Sequence, residues 1–398
     1  MNERLAIDGG QPVRTKAFPK WPQFDAREER ALLDVLHSGK WGVHVGTRVT
    51  EFENKFAEFQ HARFGVGVPN GTLALEMALR ALGIQPGDEV ITTPYTFIAT
   101  SSAILLLGAK PVYVDIEPTS FTIDPTKIQA AITERTKAIV PVHLAGRPAN
   151  MDAILEIAAR HKLRVLEDAC QAWGAEWRGR RVGAIGDLGA FSFQASKNIT
   201  AGEGGIVVTN DETLADFCWS FHTCGRTRGG AWYEHEIVGS NLRMAEWEGA
   251  LLLAQLARYP EHSSIREANA RYLARLLVEI GGLALLPDDA RVTQHAWHLF
   301  ITLYDPNAFG GKSRREFIEA LRAEGIAACS PGYIPLYRTN AVARALTEMF
   351  GATTLPDCPA TERAAAQAVW FFHYVLLGDR SDMESIAAAV IKIKKAWT

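Results

Sequence analysis

Between residues 64 and 209 this chain repeats one pattern: a short apolar run, a glycine- or proline-marked turn, then a helical period. Apolar runs fall at 64–68, 89–93, 111–115, 138–142, 163–166, 188–193 and 206–209. Helical patterns fall between them at 72–82, 97–107 and 151–161, the first two stopping at Gly83 and Gly108. Short apolar strands that alternate with helices predict an α/β fold, with a mainly parallel central sheet flanked by helices. One place departs from the rhythm. Between Ser192 and Val207 two apolar runs follow each other with no helix between them. Upstream, a helical pattern over 28–36 stops at Ser38-Gly39.

After about residue 258 the rhythm changes. A long helical pattern covers 265–277, a strand 299–303, a helix 314–324, and an amphipathic helix 382–396 closes the chain. This predicts a smaller C-terminal α+β domain. The expected division is 1–258, the N-terminal segment with the large domain, and 259–398. With 398 residues, 47% of them hydrophobic, the chain has material for a sizeable core.

The net charge of −3 supplies no basic field for nucleic acid or an anionic membrane. Five cysteines, Cys170, Cys218, Cys224, Cys329 and Cys358, are odd in number and widely spaced. No Cys-x-x-Cys pair occurs, so neither zinc nor a disulfide framework is indicated. Residues 1–10 lack a cationic-then-apolar leader pattern, and no apolar stretch reaches membrane length. The expectation is a cytoplasmic protein with free thiols.

Open α/β sheets bind ligands beyond the carboxyl ends of their strands, and polar features cluster at those ends. Asn70-Gly71-Thr72 lies between a strand and a helix, where helix amides and a hydroxyl suit an anion. The same residues also suit a plain helix cap. Phe97, in Thr93-Pro94-Tyr95-Thr96-Phe97, can stack on a flat ring or fill the core. Asp168, in Glu167-Asp168-Ala169-Cys170-Gln171, can face a cationic ring nitrogen or cap a helix. Ser192 adds a hydroxyl. Lys197 sits between the strand ending Phe191-Ser192-Phe193 and the turn Gly202-Glu203-Gly204-Gly205, a placement that fixes its amine. Asn241 lies in a polar loop before a helix. Phosphate donors, a stacking aromatic, a carboxylate and a Schiff-base lysine are what pyridoxal 5′-phosphate requires.

In this order the motifs are specific. With Pro141-Val142-His143-Leu144-Ala145-Gly146 and Asn241-Leu242-Arg243-Met244, they resemble the sugar and aminocyclitol aminotransferases of the DegT/StrS group. These are fold-type I PLP-dependent transferases, and the resemblance covers nearly the whole chain. It implies that Lys197 forms the Schiff base and that Asp168 faces the pyridine nitrogen. It further implies that Gly71, Thr72 and Ser192 hold the phosphate, that Phe97 stacks on the ring, and that Gln171 lies near the ring hydroxyl. Asn241 would reach the phosphate of a partner subunit, which implies a homodimer with shared active sites.

The opening Ala6-Ile7-Asp8-Gly9-Gly10, Trp21-Pro22, Tyr337-Arg338 and Leu376-Leu377-Gly378 look like glutamine:scyllo-inosose aminotransferases and 3-amino-5-hydroxybenzoate synthases. Gln194 stands where many nucleotide-sugar relatives carry His. The implied reaction moves an amino group from L-glutamine or L-glutamate to a cyclic ketone. Arg226, Arg228 and Arg243 are candidates for the donor carboxylate, and 231–233 and 370–374 for the acceptor pocket. The alternatives are a dehydratase or aromatising synthase, a nucleotide-keto-sugar aminotransferase, or a PLP-binding regulatory module. Family dehydratases carry His in place of the lysine, so Lys197 disfavours that route.

Overall fold

The computed structural model of the chain describes residues 4–351 and 355–398. Its first nine strands are β1 (Phe64–Val68), β2 (Glu89–Thr92), β3 (Lys110–Tyr113), β4 (Thr136–Val140), β5 (Arg164–Asp168), β6 (Glu176–Trp177), β7 (Arg180–Arg181), β8 (Leu188–Ser192) and β9 (Gly205–Thr209). Seven of these form one sheet in the order β1-β9-β8-β5-β4-β2-β3. Neighbours run parallel except β9, which is antiparallel to both β1 and β8. The irregularity in the sequence rhythm is therefore this reversed strand, joined to β8 through the lysine segment. The small strands β6 and β7 pair outside the main sheet.

Helices α1 (Ala26–Ser38), α2 (Arg48–Phe59), α3 (Gly71–Ala81), α4 (Ala99–Leu106), α5 (Pro125–Ala131), α6 (Met151–His161), α7 (Glu212–His222) and α8 (Glu246–Ile280) precede the C-terminal region. Successive side chains of a strand point to opposite faces, and the buried strands use both. Val165, Phe191 and Ile206 pack with Phe52 and Phe56 of α2 and Ile154 of α6. Their neighbours Leu166, Ala190 and Val207 pack with Ala74 and Ala78 of α3 and Leu214 of α7.

The C-terminal region adds β10 (Leu283–Leu285), β11 (Val292–Gln294), β12 (Leu299–Tyr304), β13 (Cys329–Ser330) and β14 (Ala368–Phe372), with α9 (Arg314–Ala323), α10 (Asn340–Phe350), α11 (Pro359–Gln367) and α12 (Arg380–Trp397). A four-stranded sheet in the order β10-β12-β14-β13 is antiparallel throughout. It shares a core with α9, α12 and the end of α8.

The expected boundary at 258/259 falls inside α8, one helix of 35 residues. Leu252 and Leu256 belong to the large-sheet core, whereas Ala270, Leu273 and Leu277 belong to the small one. The N-terminal segment, assigned to the large unit, packs on the small one instead. Leu5 sits in that core. Glu324 accepts the amides of Ala6 and Val13 at 2.8 and 3.0 Å, and Arg14 pairs with Asp382 at 2.7 Å. Among the described residues no helix is long and apolar enough to cross a membrane.

Candidate active site

A cavity of about 1250 Å³ opens where the carboxyl ends of β1, β2, β5 and β8 meet the C-terminal core. Gly71, Thr72, Phe97, Asp168, Gln171, Ser192 and Lys197 all line it. Seven of the eight predicted site residues thus converge; Asn241 does not.

The anion pole is the start of α3. Asn70 caps the helix, its Oδ1 accepting the Leu73 amide at 3.0 Å. The cap is therefore Asn70, which leaves the Thr72 hydroxyl to the cavity. Helix N-terminal amides and dipole favour an anion here. A Cβ on Gly71 would stand 2.6 Å from the Ser192 Cβ and 3.1 Å from its Oγ. Only glycine lets the helix start sit against the end of β8 and keeps the cradle open.

The carboxylate pole is Asp168, buried at the end of β5. Its Oδ2 accepts the Thr100 hydroxyl at 2.7 Å and its Oδ1 the Cys170 amide at 3.2 Å. Strand alternation turns its neighbour Glu167 to the other face. There Glu167 accepts the amides of Gly183, Ile185 and Gly186 and lies 2.9 Å from His143 Nε2. The acidic pair thus divides into a structural anchor and a cavity-facing group.

Lys197 is half-buried on the turn between β8 and β9. Burial lowers its amine from the ordinary lysine range, and the nearby Asp168 carboxylate works against that shift. Desolvation disfavours the ammonium, so more free amine is present near neutrality. Cys170 itself is held well above the usual thiol range by burial. It stays a neutral thiol.

Phe97 is 54% exposed, so it is not core; the buried aromatic of that loop is Tyr95, 0% exposed. Phe97 offers its ring to the cavity. Gln171 has its amide engaged: Oε1 accepts the Ala145 amide at 2.7 Å, and Nε2 donates to the Tyr333 hydroxyl at 3.1 Å. Asn241 is exposed, bridged to Thr223 away from the cavity. The three candidate arginines do not line it either. Arg226 donates to the Trp232 and Thr223 carbonyls, Arg228 pairs with Asp216, and Arg243 donates to the Cys224 sulfur. Trp232 and Tyr233 are exposed elsewhere, while Trp370, Phe372, His373 and Tyr374 do line the cavity.

Sequence reading missed Trp21, Tyr333, His298 and Thr100 as site residues. Thr100 had a signal, standing one helical turn after Thr96 on the loop after β2; their hydroxyls are 3.1 Å apart. His298 and Tyr333 had none, since they reach the cavity only through packing of the C-terminal core.

A flat phosphorylated pyridine fits this set. The glycine cradle takes the phosphate, Asp168 offers a carboxylate for the ring nitrogen, and Lys197 offers an amine. The sheet order, its single reversed strand and the small antiparallel domain define the fold-type I class of PLP-dependent enzymes. Within that class, residues 22–391 match the DegT/DnrJ/EryC1/StrS aminotransferase family, and the chain belongs to it. A protein of Streptoalloteichus tenebrarius, provisionally named L-glutamine:3-amino-2,3-dideoxy-scyllo-inosose aminotransferase, is 41% identical, with 99% of each chain covered. The L-glutamine:2-deoxy-scyllo-inosose aminotransferase of the same organism is 37% identical over 99% of this chain and 98% of its own. The crystal structure of 3-amino-5-hydroxybenzoic acid synthase superposes with a TM-score of 0.87 at 35% identity, covering 96% of this chain and 99% of that one. The chain is an aminotransferase of a PLP-dependent family.

Proposed function

We infer that this enzyme carries an amino group from L-glutamine or L-glutamate to a cyclic polyhydroxy ketone of the keto-inositol type, with pyridoxal 5′-phosphate in the cavity. The observation that carries the reading is the half-buried Lys197 sharing one cavity with Asp168 and the Gly71 cradle. The names of the glutamine:scyllo-inosose relatives support both donor and acceptor.

When bound, the cofactor supplies an electron-withdrawing ring that accepts the electron pair of a C–H bond broken in the donor. The first amides of α3, Thr72 and Ser192 would hold its phosphate. Asp168, held by the Thr100 hydroxyl, would face the ring nitrogen. Phe97 would pack against the ring, and Gln171 would lie near its hydroxyl. Lys197 Nζ would take the proton from the donor Cα as general base and deliver it as general acid to the cofactor carbon that takes up the amino group.

Asn241 completes the phosphate site of a second copy in a homodimer. Its loop carries the exposed Trp232, Tyr233 and Val238, apolar surface that a second copy would cover. All five thiols are free, which suits the cytoplasm.

The test is the visible spectrum of the cofactor-loaded protein. Lys197→Ala abolishes the absorbance of the lysine-bound cofactor, and an unchanged band overturns the reading. L-Glutamine changes the wild-type band. A screen of keto-inositols against nucleotide-linked keto-sugars then reports the acceptor, and exclusive turnover of the latter overturns the cyclitol reading.

A further inference from the structure

The turn that carries Lys197 is held at three consecutive carbonyls. The Gln194 carbonyl accepts the Lys197 amide at 2.9 Å. The Ala195 carbonyl accepts the Trp21 indole N–H at 3.0 Å. The Ser196 carbonyl lies 3.0 Å from His373 Nε2. The Gln194 side chain closes the turn from within, its Oε1 accepting the Ser196 amide and hydroxyl at 2.8 and 2.7 Å. Trp21 comes from the N-terminal segment and His373 from the turn that follows β14, so both donors are remote in sequence.

Behind His373 stands Arg266 of α8, its Nη2 3.3 Å from His373 Nδ1. An arginine only donates, so Nδ1 accepts and the ring proton sits on Nε2, facing Ser196. Arg266 is 0% exposed. Among the described residues no carboxylate pairs with it, and its Nε and Nη1 are without hydrogen-bond partners. The rings of Trp21 and Tyr259 face it instead, at 5.6 and 6.0 Å. Burying a cation this way costs stability that an apolar side chain of similar bulk would not cost. What the guanidinium does here, and methionine cannot, is fix the His373 tautomer and set positive charge behind the lysine turn. The other ionisable groups that face this pair are Tyr259, His262 and Lys197, with His298 stacked on His373 at 5.7 Å and 24°.

We propose that Arg266, His373 and Trp21 are positioning residues for Lys197: they fix the turn that aims its amine and tie that turn to the C-terminal core. The proposal rests on the reading of Lys197 as the lysine that carries the cofactor.

The experiment starts from cofactor-free protein. Pyridoxal 5′-phosphate is added, the linkage to Lys197 is trapped with borohydride, and the labelled peptide is quantified by mass. In parallel, the absorbance of loaded protein is titrated with pH. His373→Leu and Arg266→Met slow trapping by about tenfold or more. Arg266→Met also moves the absorbance titration to higher pH, because a cation near the protonated group is lost. His373→Gln keeps an N–H near the Nε2 position and recovers most of the rate. With the donor, kcat falls and KM changes little. Trapping and titration at wild-type values in both variants, with only a lower melting temperature, would make the cluster mere packing and overturn the proposal. If both variants fail to fold, Trp21→Phe decides: slowed trapping supports the proposal and a wild-type rate overturns it. Absence of trapping at Lys197 in the wild type would instead sink the cofactor reading itself.

Discussion

Gly71 and Asp168 show what single residues decide here. Gly71→Ala puts a Cβ 2.6 Å from that of Ser192. Overpacking of this kind costs about 1–3 kcal/mol, and it closes the phosphate cradle. The expected result is a lower denaturant midpoint together with a Kd for pyridoxal 5′-phosphate weakened by about tenfold or more. Unchanged affinity would place the phosphate elsewhere. Thr100→Val removes the hydroxyl that donates to the Asp168 carboxylate and leaves the bond from the Cys170 amide. Hydrogen bonds to charged groups contribute about 1.5–3 kcal/mol, so kcat falls and the melting temperature drops. An unchanged kcat would show that the Thr100 bond does not orient Asp168. Lys197, Asp168 and Gly71 were legible in the sequence because strand ends and glycine turns mark local geometry. His373 was legible only as part of an aromatic-rich segment. Its bond to Ser196 spans 177 positions, and no local pattern encodes such a pairing.

At the scale of elements, β1 and α6 have the predicted bounds and the other expected strands agree within two residues, whereas β6, β7, β10, β11, β13 and β14 were not foreseen. α4 begins at Ala99 rather than 97, which frees Phe97 for the cavity. α3 depends on its cap: Asn70→Ala is expected to cost about 1 kcal/mol, read from urea unfolding, and to weaken cofactor binding by loosening the first turn. A loss of stability with unchanged affinity would separate the cap from the anion site. The helical pattern over 265–277 was visible, yet the full reach of α8 was not. Its first half serves one core and its second half another. The buried set also includes Gln255, Arg258, His262, Arg266 and Asn269, so no single apolar stripe runs along the helix. Pro260 inside it also reads as a breaker.

Across the whole molecule, burial holds several histidines neutral. Burial pushes His222 and His262 down to about 4 and His295 to about 3, and holds His298 and His373 well below the usual value. An unfolded histidine titrates near 6.5, so on acidification the unfolded chain takes up protons first. This contribution to stability is complete above about pH 6.5 and is lost as pH falls toward about 4. Glu53, raised to about 7 by burial, and Glu248, also raised, act in the opposite sense, but the lowered histidines, His44 among them, outnumber them. The melting temperature is expected to fall steadily from pH 7 to 5, and a flat profile there would contradict the buried neutral state.

The sequence by itself determined the βα rhythm, the break in it between Ser192 and Val207, and the placement of Lys197 between a strand and a glycine turn, because these rest on neighbours within a few positions. Only the tertiary structure decided which core the N-terminal segment joins, that α8 spans both cores, and that Trp21, Arg266 and His373 reach the lysine turn. Those contacts exist only once two separately built cores pack against each other, and the polar groups they bring together are silent in the chain until then.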